Sequence, residues 1–159
     1  MVCSCNIRCI LPLEMCREVW YKCIKGFSIL VGGAGDVSHV LLVGLGGALG
    51  AMARYGINQL AVSQLGSSFV GTFIANISGT FLLGLLVGFL SSHPIWPAEV
   101  RIFLTVGFLA SYTTFSTLSV GTIQLLQKGD LSGAVVNLGA SVVLGLTAAV
   151  AGIMFGRAI

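Results

Sequence analysis

Charge is what this sequence holds least of: eight Lys and Arg and five Asp and Glu share 159 residues, or 8%, against roughly 25% in a soluble domain. That scarcity excludes an ordinary water-soluble globule. A hydrophobic content of 56% and a mean hydropathy of +1.01 put the chain in a bilayer instead. Each crossing needs about 20 apolar residues, so only a few crossings fit and no large extramembrane domain is left over. The net charge of +3 is spread too thinly along the chain for a nucleic-acid surface. No Asp or Glu stands at the centre of a long apolar run. Proton-coupled pumps and small multidrug exporters keep a carboxylate within the hydrocarbon, so both classes lack their working group here.

Cysteine is absent after Cys23. The five that exist, Cys3, Cys5, Cys9, Cys16 and Cys23, match no zinc spacing, and an odd number with irregular gaps argues against a disulfide framework. Signal-peptide logic fails as well, because "CILPLEMCREVWYK" interrupts its short apolar piece with charges and shows no small-residue cleavage site. Residues 1–36 are therefore expected to be a Cys-rich extension, disordered or a wrongly assigned start, with the functional chain beginning near Val37.

What remains is a series of apolar runs. Hydropathy predicts four membrane-spanning helices over about 38–60, 69–90, 101–127 and 131–156, an all-α integral membrane protein. Pro94 and Pro97 in "SSHPIWPAEV" end the second run, and Trp96 suits the headgroup region. Gly46/Gly50 or Gly47/Ala51 in the first run, and Gly145/Ala149 and Gly152/Gly156 in the fourth, form small-xxx-small pairs that let helices approach closely in lipid. "GLGGALG" is superficially like a dinucleotide loop, yet it has no preceding strand and no acidic residue about 20 positions on. His39 and His93 lie near run ends, as interfacial side chains do, and no nucleophile, base and orienting group can be assembled on these spans, so an enzyme is not expected.

Orientation is balanced. With four spans, Arg101 and Arg157 mark one side and Arg54 and Lys128 the other, so the positive-inside rule gives no preference from residue 37 onward. Arg8, Arg17, Lys22 and Lys25 would tip that balance if the extension is translated.

The third run holds "ASYTTFSTLSVGT", residues 110–122, with seven hydroxyls: Ser111, Thr113, Thr114, Ser116, Thr117, Ser119 and Thr122. A lipid-facing helix gains nothing from them. An isolated hydroxyl is ordinarily an interhelical hydrogen bond, but this density is harder to explain that way. Without intramembrane charges, a permeant species has to be handled by neutral groups. The second run supplies a stripe at helical spacing, Thr72, Asn76, Thr80, Gly84 and Gly88. Asn76 offers two N–H donors, the hydroxyls one each, and the edge of Phe115 carries the positive part of an aromatic quadrupole. Such a lining could replace the water shell of a small, strongly hydrated anion. Thr113-Thr114 compete for backbone bonds and fit a helix break whose freed carbonyls could hold a cation.

"GLGGALGAMARYGIN" at 44–58, "GTFIANISGTFLLG" at 71–84 and "TTFSTLS" at 113–119, in this order and spacing, resemble the fluoride channels of the CrcB or Fluc family. The resemblance runs from about Val37 to the C-terminus and leaves out the Cys-rich extension. It implies a four-helix subunit with a broken third helix, an antiparallel dual-topology dimer with two fluoride pathways, and a sodium ion buried at the dimer interface. Fluoride would leave the cell passively through the inner (plasma) membrane. Carried over by motif, Asn76 would donate to fluoride and Phe115 would present its ring edge. Thr72, Ser116, Thr117 and Ser141 would continue the polar track, Arg54 would stand at the entrance, and the backbone carbonyls of Ala110 and Thr113 would face the sodium. The family pattern usually has Gly-Gly where this chain has Ala110-Ser111, a second phenylalanine at Leu118, an acid at Gly121 and a tyrosine at Asn137. The partner would be a second copy or a homologous subunit, since some members work as unlike pairs. The alternatives are a small four-helix secondary transporter and a non-conducting accessory membrane subunit.

Overall fold

The computed structural model describes residues 37–93 and 96–159; the expectations for residues 1–36 lie outside the described residues. Its helices are α1 (Val37–Leu65), α2 (Ser68–Ser92), α3 (Ala98–Ile102), a π-helical stretch (Phe103–Leu109), α4 (Ala110–Tyr112), α5 (Phe115–Gln127) and α6 (Leu131–Ala158). Grouped by hydropathy they make four helices long and apolar enough to cross a membrane, Val37–Leu65, Ser68–Ser92, Ala98–Gln127 and Leu131–Ala158.

Local chemistry sets the ends. α1 stops where Gly66 takes a left-handed φ of 65° and its N–H donates back to Val62 O at 3.0 Å, a conformation glycine adopts without a Cβ penalty. It thereby runs about three turns beyond Arg54, so that this arginine is an interior residue of a long helix. α5 ends the same way at Gly129, φ 79°, and Asp130 then caps α6, its carboxylate accepting from Gly133 N at 2.8 Å and from Ser132 Oγ at 3.0 Å. A carboxylate there also meets the positive end of the helix dipole.

The third span is irregular. Between Ile102 and Ala110 the ladder loosens to i→i+5 bonds, as in Ala110 N–H to Thr105 O, while Thr105 Oγ1 donates to Arg101 O at 2.7 Å, the back-bonding by which threonine disturbs a helix. Thr113 (φ −84°, ψ 154°) and Thr114 (φ −151°, ψ 123°) are extended. Helical geometry resumes at Phe115, with Thr114 as N-cap accepting from Thr117 N at 3.4 Å.

Glycine backbones set the packing. A Cβ on Gly84 or Gly88 of α2 would strike the carbonyls of Ala149 or Ile153 on α6, and one on Gly152 or Gly156 of α6 would strike those of Phe81 or Leu85 on α2. The two helices therefore lie backbone to backbone, a contact that dispersion rather than the hydrophobic effect rewards in lipid. On α1, Gly46 and Gly50 are pressed in the same way against Phe103 O and Phe108 O of the π stretch. Gly145 departs from the paired pattern: a Cβ there meets nothing within 4 Å. The interior is correspondingly thin, with Ala75, Leu90, Ile102, Leu109, Tyr112 and Leu118 among its buried members, whereas Leu45, Met52, Val135 and Val143 face outward as lipid permits.

Candidate functional site

Asn76 is where α2 meets the interruption of the third span. Its Nδ2 donates to Thr114 O at 3.0 Å and its Oδ1 accepts from Thr114 N at 2.7 Å. One side chain thus engages both the N–H and the C=O of Thr114. Nδ2 carries two hydrogens, and the bond to Thr114 uses one. Nearby, Ser78 Oγ and Tyr112 Oη lie 2.9 Å apart, a second tie between α2 and the third span.

Two grooves follow one another along the same face of α2, whose residues 68, 72, 76 and 80 recur every fourth position. The first, about 400 Å³, is lined by Thr72, Ser116 and Thr117 together with Ser68, Phe69 and Gln124. The second, about 260 Å³, is lined by Asn76, Phe115 and Ser141, with Thr80, Thr113 and Leu118. Arg54 lines neither; it is half-buried with Nε unpartnered. Ala110 is exposed and also lines neither, while Thr113 lies in the second groove.

Most hydroxyls of residues 110–122 are consumed internally. Thr113 Oγ1 donates to Leu109 O at 3.2 Å, Ser119 Oγ to Phe115 O at 2.9 Å and Thr122 Oγ1 to Leu118 O at 2.8 Å. Thr122 Oγ1 also accepts from Asn137 Nδ2 at 2.9 Å, which ties α5 to α6. Ser116 Oγ and Thr117 Oγ1 share only Thr114 Oγ1, at 3.0 and 3.3 Å. Among the described residues, Thr72 Oγ1 and Ser141 Oγ are buried without a hydrogen bond, in residues 3% and 8% exposed. Leaving a donor unpaired costs about 1–3 kcal/mol, so buried orphans one in each groove have the chemistry of ligand donors.

Sequence reasoning did not single out Asn58, whose Oδ1 is buried without a hydrogen-bond partner and lies against Gly71, or Phe69, or the Ser78–Tyr112 bond. For the last, a tyrosine within an apolar run was the available signal.

The family described as CrcB-like protein, Camphor Resistance (CrcB), matches residues 41–153. The chain belongs to the CrcB family. That match takes in the three motifs at 44–58, 71–84 and 113–119 and both grooves. A protein of Dehalococcoides mccartyi (strain ATCC BAA-2100 / JCM 16839 / KCTC 5957 / BAV1) named fluoride-specific ion channel FluC is 43% identical over 111 residues, 69% of this chain and 85% of its own. One of the same name from Hydrogenovibrio crunogenus is 41% identical over 122 residues, 76% and 92% of the two chains. Fluoride-specific ion channel FluC 1 of Listeria monocytogenes serotype 4b is 44% identical over 119 residues, 74% and 97%. Four spanning helices and membership of the CrcB family make this a multi-pass membrane protein.

Proposed function

We propose that this chain is the subunit of a fluoride-selective channel that lowers cytoplasmic fluoride by passive efflux across the inner membrane. The observation that carries the reading is the pair of buried, unpartnered hydroxyls on Thr72 of α2 and Ser141 of α6, one in each groove, in a chain about 40% identical to proteins named for fluoride. Fluoride is small and strongly hydrated, so it needs short, fixed donors in place of water. The spare N–H of Asn76, the hydroxyls of Thr72, Ser116, Thr117 and Ser141 and the ring edge of Phe115 would supply them. No carboxylate is among the residues lining either groove, to repel the anion or to bind a proton, and the half-buried Arg54 would draw anions toward the mouth.

In this reading two subunits pair antiparallel, either two copies or this chain with a homologous one. The even division of Arg101 and Arg157 against Arg54 and Lys128 supports insertion in both orientations. A sodium ion at the dimer interface suits the third span. The ψ of 154° at Thr113 turns its carbonyl away from the helical direction, and unwound carbonyls are suitable oxygen donors for sodium. Ala110 and Thr113 would hold the ion through backbone oxygen; its charge would fix the two interruptions against each other.

The test is fluoride release from vesicles containing this chain alone and with a homologous subunit, with Thr72→Val and Ser141→Ala alongside. Each substitution keeps the shape and removes one hydroxyl, so a slowing of about tenfold or more is expected. Full flux through the double variant would sink the proposed lining.

A further inference from the structure

The second groove is open at a position where α6 carries no side chain. Gly145 lines it one turn beyond the buried, unpartnered hydroxyl of Ser141, and a Cβ built there would meet nothing within 4 Å. A glycine inside a helix costs about 0.5–1 kcal/mol against alanine. Gly152 and Gly156 of the same helix offset that cost, because their bare backbones let α2 come into contact. Gly145 brings no neighbour closer, and it takes no left-handed φ. Packing and backbone conformation therefore do not account for its missing side chain.

The direction of that missing side chain follows from the helix. At about 100° per residue, Val142 stands about 100° round the axis from Ser141 and Gly145 about 40°, so Gly145 points between two residues that both line the groove. The register between α2 and α6 agrees. Gly84 meets Ala149 and Gly88 meets Ile153, so the two helices run in parallel with four residues matching four. One turn back, Thr80 is level with Gly145; two turns back, Asn76 is level with Ser141. All four line the second groove. Gly145 is thus the last position before the helices touch, and a side chain there would enter the space beside the Ser141 hydroxyl.

We infer that Gly145 sets the bore of the second groove: by carrying no side chain it leaves room beside the Ser141 hydroxyl and the Asn76 amide for an anion to pass. The inference rests on the proposed channel reading. It gives Gly145 a part in passage that packing does not call on, so flux and stability separate when the residue is changed.

The experiment is initial fluoride efflux, with a fluoride electrode, from vesicles of defined composition holding the full chain, with a homologous subunit added if the wild type alone is silent. The set is wild type, Gly145→Ala, Gly145→Leu and the control Gly139→Leu, each with its unfolding midpoint in detergent and its cross-linked dimer fraction. Gly139 is also open within 4 Å, yet it stands about 160° from Ser141 on the same helical count and lines neither polar groove. Gly145→Ala should slow efflux about threefold and Gly145→Leu by more than about tenfold, with midpoint and dimer fraction no lower than in the wild type. Gly139→Leu should leave efflux unchanged. Wild-type flux through Gly145→Leu overturns the inference and leaves the channel reading standing. A loss matched by Gly139→Leu, or one accompanied by a lower midpoint or a smaller dimer fraction, overturns it as well, because the glycine then acts through packing. If Gly145→Leu does not fold, Gly145→Ala with wild-type flux overturns it equally. A wild-type chain silent toward fluoride in both preparations overturns the channel reading, and this inference with it.

Discussion

Asn76→Ala removes both ends of the bridge between α2 and the interrupted third span. The native amide supplies one acceptor at 2.7 Å and one donor at 3.0 Å to the backbone of Thr114, whose extended φ and ψ leave it outside the regular helical pattern. Interhelical hydrogen bonds in membrane proteins contribute about 0.6 kcal/mol on average and up to about 1.7. Two of them to one residue, in a part-buried site, give about 1–3 kcal/mol. Reversible unfolding in mixed detergent, followed by tryptophan fluorescence, reads that loss directly. A midpoint for Asn76→Ala shifted by less than about 0.5 kcal/mol would refute the idea that this amide holds the interruption in place. Flux alone could not separate this role from donation to an anion, and the stability measurement can.

The remaining predictions concern packing and ties between spans. Gly152→Leu should cost several kcal/mol or prevent folding, because its Cβ would meet Phe81 O and there is no slack between α2 and α6; Gly145→Ala, open within 4 Å, should change the unfolding midpoint by less than about 0.5 kcal/mol. Tyr112→Phe removes the 2.9 Å contact to Ser78 and should destabilise by about 1 kcal/mol, an effect absent when Ser78→Ala is already present. Asn137→Leu breaks the bond to Thr122 Oγ1 and should cost about 0.5–1 kcal/mol in the same assay, with Thr122 left to its own turn through Leu118 O.

The four spans were legible because hydropathy over 20 or so residues reports transfer from water to hydrocarbon, which needs no tertiary knowledge. Gly46, Gly50, Gly152 and Gly156 could be read as contact residues because only a missing side chain permits backbones to touch. Gly145 shows the limit of that rule, since the spacing of small residues does not say which of them faces a neighbour. The π-helical stretch was not legible. It depends on how Thr105 bonds Arg101 O and how Gly107 meets Leu42 and Val43 of α1, and no periodicity encodes that. The hydroxyl run of residues 110–122 was conspicuous, but composition could not divide it. Ser119 and Thr122 turn back on their own helix while Ser116 and Thr117 face a groove, a division set by the phase of α5 after Thr113 and Thr114. Nor could a sequence show that Asn76 spends half its donors on the backbone of Thr114 or that Phe69 packs against the bare backbone of Gly121.

The central claim is that neutral donors along α2 strip the water from fluoride and from no larger halide. Its most direct test is to load vesicles carrying the full chain, with and without a homologous subunit, with equal fluoride and chloride and to follow both anions as they leave. Release of fluoride with chloride retained is the predicted outcome; equal release of the two, or release of neither in both preparations, would contradict it.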